Sequence, residues 1–362
     1  MQKVMTSREL RERIDKLPRV KLAELPTPLH ELVRLSKDLG GPRLFIKRDD
    51  LTGLAFGGNK SRMFEFLLER AVREGADSIV GGAAVQSNYS RQLAAACAIL
   101  GLECHLVLRR IRGAADDRVQ GNLLLDLLAG AQVHIIDADT EGQRAAIYDL
   151  AEELRGRGKR PFVVRMADDS DLTPDVVAYV ECFCEIVEQS EARGIEPTHI
   201  YVASYDSTQA GLEIAKRVLG SDITIVGVAP ADWGTDVAEE IARFANQAAE
   251  NLGLSCRVDG KEVINTHEYV GRSYGFPTVE GLRMLKRIAE LEGIFLDPVY
   301  TSKAMAALAD HCRTGRLTGK DMVVFLHTGG NSALFAYTDE LSSLNLTQKL
   351  HLDNLETEEG SS

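Results

Sequence analysis

The chain is poor in whatever would anchor, staple or charge it toward a polyanion. No apolar run in its 362 residues reaches the roughly 18 that a membrane helix needs. Its start, MQKVMTSRELRERIDKL, has no apolar core of a signal peptide. Basic residues are outnumbered, 42 against 54, and the net charge of −12 repels nucleic acid and anionic membrane surfaces. Six cysteines are scattered at 97, 104, 182, 184, 256 and 312, with no C-x-x-C pair, so a zinc site is not expected. They read as reduced core thiols, and no metal is expected. A cytoplasmic protein without membrane or nucleic-acid partners is the reading these absences favour. No internal repeat is present.

What is present is alternation. RLFIKRD, DSIVGGA, CHLVLRR, QVHIID, PFVVRM, THIYVAS, TIVGVAP and DMVVFLHTGG read as buried strands. Between them lie seven helical patterns, from SRMFEFLLERAVREG to SKAMAALADHCRTG, several ending in Gly after an apolar periodicity. Strands alternating with helices predict parallel sheets covered on both faces, an α/β fold. Eight strands allow one barrel or two open sheets, and the pattern does not choose. At this length one large or two medium domains are expected. The tail LTQKLHLDNLETEEGSS is polar and acidic with little to bury, and reads as mobile over 346–362.

The stretch GGNKSRMFEF, residues 57 to 66, brings a lysine in behind two glycines and an asparagine. Glycines permit tight turns and close approach of a ligand. A lysine held in a partly apolar pocket loses proton affinity, and the neutral amine forms a Schiff base with an aldehyde. Most lysines are only solvated charges, so Lys60 needs the rest of the chain to support this reading.

Six stretches occur in order: LPTPLHELVRLSKDLGGPRLFIKRDDLTGLAFGGNKSRMFEFLL, QSNYSRQLAAACAILGLECHLVL, STQAGL, SYGFPTVEGL, LDPVYTSKAMAAL and VVFLHTGG. Together, from about Leu17 to about Asp339, they resemble the pyridoxal-phosphate enzymes that include aminocyclopropane-carboxylate deaminase, D-cysteine desulfhydrase and L-cysteate sulfo-lyase. The resemblance implies a two-domain fold of the tryptophan synthase β type, fold type II. It implies a large cofactor domain (1–60 with 172–345), a small domain (61–171), a cofactor in the cleft between them and a homodimer.

On that resemblance Lys60 matches the Schiff-base lysine, with Asn59 steadying its turn. Gln86, Ser87, Asn88 and Tyr89 lie where a strand ends and a helix starts, a place that favours anions. There Ser87 and Asn88 are expected to grip a substrate carboxylate, and Asn88 also the cofactor's ring hydroxyl. Read alone, S-N at that junction is equally an ordinary helix cap. Ser204, Ser207 and Thr208 fall in the phosphate loop, and Thr328 beside the ring nitrogen or phosphate. Tyr274 and Tyr300 match active-site phenols able to relay protons. Thr301 stands where the ring-opening deaminases carry an acid against the ring nitrogen. Without that charge, loss of a good β-leaving group is favoured over ring opening.

The pattern breaks in several places. Tyr205 and Asp206 interrupt a phosphate loop that relatives build from small residues, and a nest of amides is the better phosphate holder. Met63 stands where relatives have a lysine able to pair with the phosphate. An acidic loop with Asp168, Asp169 and Asp171 replaces a glycine-rich one. The expected function is elimination of a β-substituent from a small amino acid, giving a 2-oxo acid and ammonia. Ring-opening deamination, or a remodelled cleft that binds a metabolite without catalysis, are the alternatives.

Overall fold

The computed structural model describes residues 4–164 and 171–344; the loop residues Asp168 and Asp169 and the acidic tail lie outside this range. Among the described residues ten strands form two separate sheets, which settles the choice between a barrel and open sheets. The strands are β1 (Leu29–Glu31), β2 (Arg43–Lys47), β3 (Ser78–Ala84), β4 (Glu103–Arg109), β5 (Gln132–Ile136), β6 (Pro161–Val163), β7 (His199–Ala203), β8 (Thr224–Val228), β9 (Ile264–Thr266) and β10 (Met322–Leu326). The larger sheet runs β1-β2-β10-β7-β8-β9, and the smaller one runs β5-β4-β3-β6. Among the described strands only the edge pair β1 and β2 is antiparallel. The eight strands read from the sequence are all present; β1 and β9, three residues each, are additional.

Parallel strands buried on both faces need apolar side chains along their whole length. Ile200, Val202, Val324 and Leu326 face one core of the large sheet, while Tyr201, Val323 and Phe325 face the other. The helix Thr173–Glu191 is buried on nearly every side, including Val176, Tyr179, Phe183 and Ile186. That position forces its acids Glu181 and Glu185 into contact with arginines, since a buried carboxylate without a partner is costly. The small sheet packs Ile79, Leu106 and Leu108 against the helix Asn88–Leu100. Four further helices of at least seven residues, Ser7–Ile14, Val33–Leu39, Gly121–Leu128 and Val237–Asn251, were not read from the sequence. No described helix is long and apolar enough to cross a membrane.

Cys97, Cys104, Cys182 and Cys184 are buried, and none of the six cysteines forms a disulfide. Among the described residues no cluster could hold a metal ion.

Candidate active site

Parallel sheets bind ligands beyond the carboxyl ends of their strands. Here those ends, from both sheets, line one cleft of about 280 Å³. The small sheet contributes Gly82–Ala84 from the end of β3 and Arg109 from the end of β4. The large sheet contributes Ser204–Asp206 after β7, Pro230 and Trp233 after β8, and Thr328 and Gly329 after β10.

Lys60 lines this cleft as the first residue of the helix Lys60–Arg73. The glycines before it are needed for geometry. Gly57 has φ +71° and Gly58 φ +129°, left-handed values that side chains resist. A Cβ on Gly57 would sit 2.1 Å from the Asp50 carbonyl oxygen, and one on Gly329 would sit 2.5 Å from the Gly58 Cα. The turn before Lys60 and the turn after β10 therefore touch backbone to backbone, and the Asn59 amide donates to the Thr328 carbonyl at 2.9 Å. Arg91, buried in the helix Asn88–Leu100, donates to the Gly57 carbonyl from both terminal nitrogens and to the Ala55 carbonyl. Burial pushes its pKa down to about 10, so it stays charged at neutral pH.

Below Lys60 lies a network of charges with no solvent contact. Arg62 donates to Asp49 at 2.9 Å and to Glu185 at 2.8 Å, and Lys47 donates to Glu185 at 2.6 Å. Tyr179 and Thr27 each donate a hydroxyl to Asp49, at 2.9 and 2.7 Å. Burial opposes the Asp49 charge, but Arg62 and Lys47 outweigh it and hold the carboxyl below its ordinary pKa. Two cations and two anions balance, and every partner is hydrogen-bonded. The start of the lysine helix is thereby fixed.

Ser87 caps the helix Asn88–Leu100, accepting from the amides of Tyr89 at 3.1 Å and Ser90 at 3.4 Å, and it also lines the cleft. Asn88 lines the cleft, its side-chain oxygen accepting from the Asn122 side-chain amide at 2.9 Å. Tyr89 lines it too, its ring edge-on to Phe64 with centroids 4.9 Å apart. Gln86, expected at the substrate, is not among the lining residues. Its amide donates to the Gln120 carbonyl and accepts from the Asn122 amide, tying down the helix Gly121–Leu128.

Ser204 and Thr208 line the cleft at the start of the helix Ser207–Leu219, where first-turn amides lack helical partners. Asn59 donates to the Thr208 hydroxyl at 3.4 Å. Ser207 is fully buried, outside the lining, and donates to Asp206 at 3.2 Å. Tyr205 and Asp206 both line the cleft, and Tyr205 turns its hydroxyl to Thr235 and its ring to Trp233, 4.3 Å away. Tyr274 and Tyr300 bond hydroxyl to hydroxyl at 2.6 Å. Burial first, and Tyr274 second, push the Tyr300 phenol well above its ordinary pKa, so it is a protonated donor at neutral pH.

Besides Gln86 and Ser207, two further expectations change. Thr301, expected against the cofactor ring, is fully buried away from the cleft lining, with its hydroxyl donated to Asp297 at 2.7 Å and its amide donated to the same oxygen. Met63, expected to cost the site a phosphate partner, lies in the apolar core with no exposure, so no cleft charge is lost there. Asp171 accepts from the Thr173 amide at the start of its helix. Among the lining residues that escaped the sequence reading, Arg109, Gln143 and Trp233 carry the large polar or aromatic side chains. Arg109 ends a strand and Trp233 follows one, and that position was the available signal.

A group carrying an aldehyde and a phosphate fits what lines the cleft: an amine at Lys60 and hydroxyls at Ser204 and Thr208. The chain belongs to the family described as pyridoxal-phosphate dependent enzymes, whose model matches residues 20–329. It is 38% identical over 334 residues to D-cysteine desulfhydrase from Klebsiella pneumoniae (strain 342), covering 91% of this chain and 99% of that one. An ACC deaminase homologue of known structure is 36% identical with a TM-score of 0.83, covering 92% of this chain and 98% of that chain. Diaminopropionate ammonia lyase of Escherichia coli, at 15% identity and a TM-score of 0.64 over 95% of this chain and 91% of that chain, shares the fold. The fold is the tryptophan synthase β-like one, with parallel sheets flanked by helices.

Proposed function

We propose that the chain is a lyase that removes a β-substituent HX from a small amino acid of the D-cysteine kind, consuming one water to release a 2-oxo acid and ammonia. It would act as a cytoplasmic homodimer of two-lobed subunits, 1–60 with 172–345 forming one lobe and 61–171 the other. The observation that carries this reading is the convergence of Lys60 and the Tyr274–Tyr300 phenol pair on one cleft. The D-cysteine desulfhydrase relatives support the substrate class.

Pyridoxal phosphate, when bound, supplies an electron sink for the pair left as the α-proton departs. Lys60 would hold the cofactor aldehyde and take that proton at its amine. Ser87 and Asn88 would bind the substrate carboxylate, with Asn88 kept in place by Asn122. Ser204, Ser207 and Thr208 would serve the phosphate, Ser207 from behind the lining, and Thr328 the ring edge. Tyr300, kept protonated by burial, would deliver its proton to the leaving group and recover one through Tyr274. Asp206 is the one carboxylate lining the cleft among the described residues, and Asp297 is committed to Thr301 and the amides of Val299 and Tyr300. This favours departure of sulfide-like groups over ring opening.

The test is oxo-acid release by holoenzyme from D-cysteine, β-chloro-D-alanine and aminocyclopropane-carboxylate assayed in parallel. Release from the first two supports the reading. Release from the third alone, or from none, defeats it.

A further inference from the structure

The loop after β4 of the small sheet meets the segment after β10 of the large sheet at Arg112, whose side chain is only 3% exposed. Its guanidinium lies over the Tyr337 ring, 3.9 Å from the centroid. One terminal nitrogen also donates to the Ala336 carbonyl at 2.9 Å and to Glu340 at 3.3 Å. Within its own loop, Nε donates to buried Asp116 at 3.2 Å. That carboxylate accepts the Ile111 and Arg112 amides at 2.8 Å each, so the loop is pinned. A planar guanidinium can stack and bond at its edge at once, which an ammonium cannot.

Tyr337, itself buried, carries the contact onward. Its hydroxyl donates to the Gly275 carbonyl at 2.7 Å. Gly275 follows Tyr274 with φ +81°, and a Cβ there would sit 2.8 Å from Cγ2 of Ile111. The turn that carries Tyr274 is therefore held by two contacts, the Tyr337 hydroxyl and the Ile111 side chain. Both depend on the loop that Asp116 pins. Next in line is the 2.6 Å bond between the Tyr274 and Tyr300 hydroxyls. These two rings pack against Val299, Ala333, Ala336 and Tyr337, yet a cavity of about 20 Å³ remains beside them. Packing alone does not fix the phenols, so the bonds behind them decide where they sit. Proton transfer needs its donor within hydrogen-bond reach of the acceptor.

We infer that Arg112 and Tyr337 are positioning residues that hold the Tyr274 turn, so that the phenol pair stays bonded at the cleft and Tyr300 is aimed to give up its proton. Neither lines the cleft, so each acts through Tyr274. The catalytic consequence rests on the acid role proposed for Tyr300, whereas the placement of the pair does not.

Tyr337→Phe removes one hydroxyl and leaves the ring under Arg112. Its crystal structure is expected to show the Tyr274 and Tyr300 oxygens more than about 3.5 Å apart, beyond hydrogen-bond reach. In the holoenzyme, kcat for D-cysteine should fall at least fivefold further than kcat for β-chloro-D-alanine, whose chloride leaves without a proton. KM for each should change less than twofold. Arg112→Leu should act in the same direction more strongly, and Arg112→Lys, which keeps the charge but not the fork, should fall between wild type and Arg112→Leu. Arg118→Ala breaks a neighbouring exposed pair with Asp339, 3.1 Å apart, and should leave both the substrate ratio and the phenol distance as they are. A phenol pair that stays bonded in Tyr337→Phe overturns the proposal. So does an equal loss for both substrates, or a loss confined to KM, since general loosening or a binding role would give these. Tyr300→Phe, measured alongside, keeps the two readings apart. If it discriminates between the substrates and Tyr337→Phe does not, the positioning role falls and the lyase reading stands. If neither amino acid is turned over while the pair opens in Tyr337→Phe, the lyase reading falls and the positioning role stands. Should Arg112→Leu not fold, Tyr337→Phe carries the comparison.

Discussion

Lys47, Asp49, Arg62 and Glu185, beneath Lys60, have side chains with no exposure at all, whereas Trp233, in the same cleft, is 49% exposed on a loop. The first region is a closed set of charges on β2, the turn that follows it, the lysine helix and the long helix Thr173–Glu191, each partner hydrogen-bonded. The second is a row of rings, Tyr205, Trp233, Tyr274 and Tyr300, carried mainly by loops and meeting at centroid distances of 4.3, 5.7 and 5.9 Å. Reacting groups gain from elements that cannot shift, because small misplacements cost rate. Rings on loops can adjust to what enters. The contrast sets a rigid surround at Lys60 against an adaptable wall of rings across the same cleft.

The rigid side should show the largest effect when broken. Arg62→Met leaves Asp49 and Glu185 buried without their shared partner, and losing one member of a buried pair costs about 3–5 kcal/mol. Chemical denaturation checks this; a loss below about 1 kcal/mol would mean the network is not holding the lysine helix. Tyr300→Phe is next. It should lower kcat by about 10²-fold or more, the usual scale of one proton transfer, while denaturation midpoints barely move. Unchanged kcat for a poor leaving group would remove the phenol from the chemistry.

The smallest effect lies beneath the loops that carry the rings. Lys303 is fully buried and donates to the carbonyls of Pro230 at 3.0 Å and Val270 at 2.8 Å, in the loops leading to Trp233 and Tyr274. Burial lowers its pKa from 10.5 to about 8, with Asp297 offsetting part of the fall. The folded state thus binds the proton less well than the unfolded chain. The penalty is fully present below pH 8 and disappears as pH rises to 10.5, so stability gains from this group across that window. Wild type should gain on Lys303→Met between pH 8 and 10.5 by up to about 3 kcal/mol, from 1.36 kcal/mol per pKa unit. A difference that stays flat with pH would show that Lys303 does not titrate there.

Strand and helix alternation was readable because parallel strands are apolar throughout and helices end in glycine. The three-residue strands β1 and β9 were not, since so short a run has no period. The helix Val237–Asn251 escaped because alanines make up much of its buried face, Ala242, Ala245, Ala248 and Ala249, leaving few large apolar residues to mark it. The glycines before Lys60 marked a tight turn, and their left-handed φ values and backbone contacts explain why nothing larger stands there. The role expected of the lysine came from the family resemblance. Thr301 and Met63 were misplaced for a common reason. Sequence order put each beside a site residue, but the helical turn points one at Asp297 and the other into the core. Arg109 and Trp233 belong to the site only through which strand ends the topology brings together.

The account depends on the Lys60 amine meeting the cofactor's aldehyde. Borohydride reduction of the holoenzyme, digestion and mass mapping of the phosphopyridoxyl label tests this directly. The label should be found on Lys60, and Lys60→Ala should lose both the label and the visible absorption band of the wild type. A label fixed on another lysine, or a band that survives in Lys60→Ala unchanged, would contradict it.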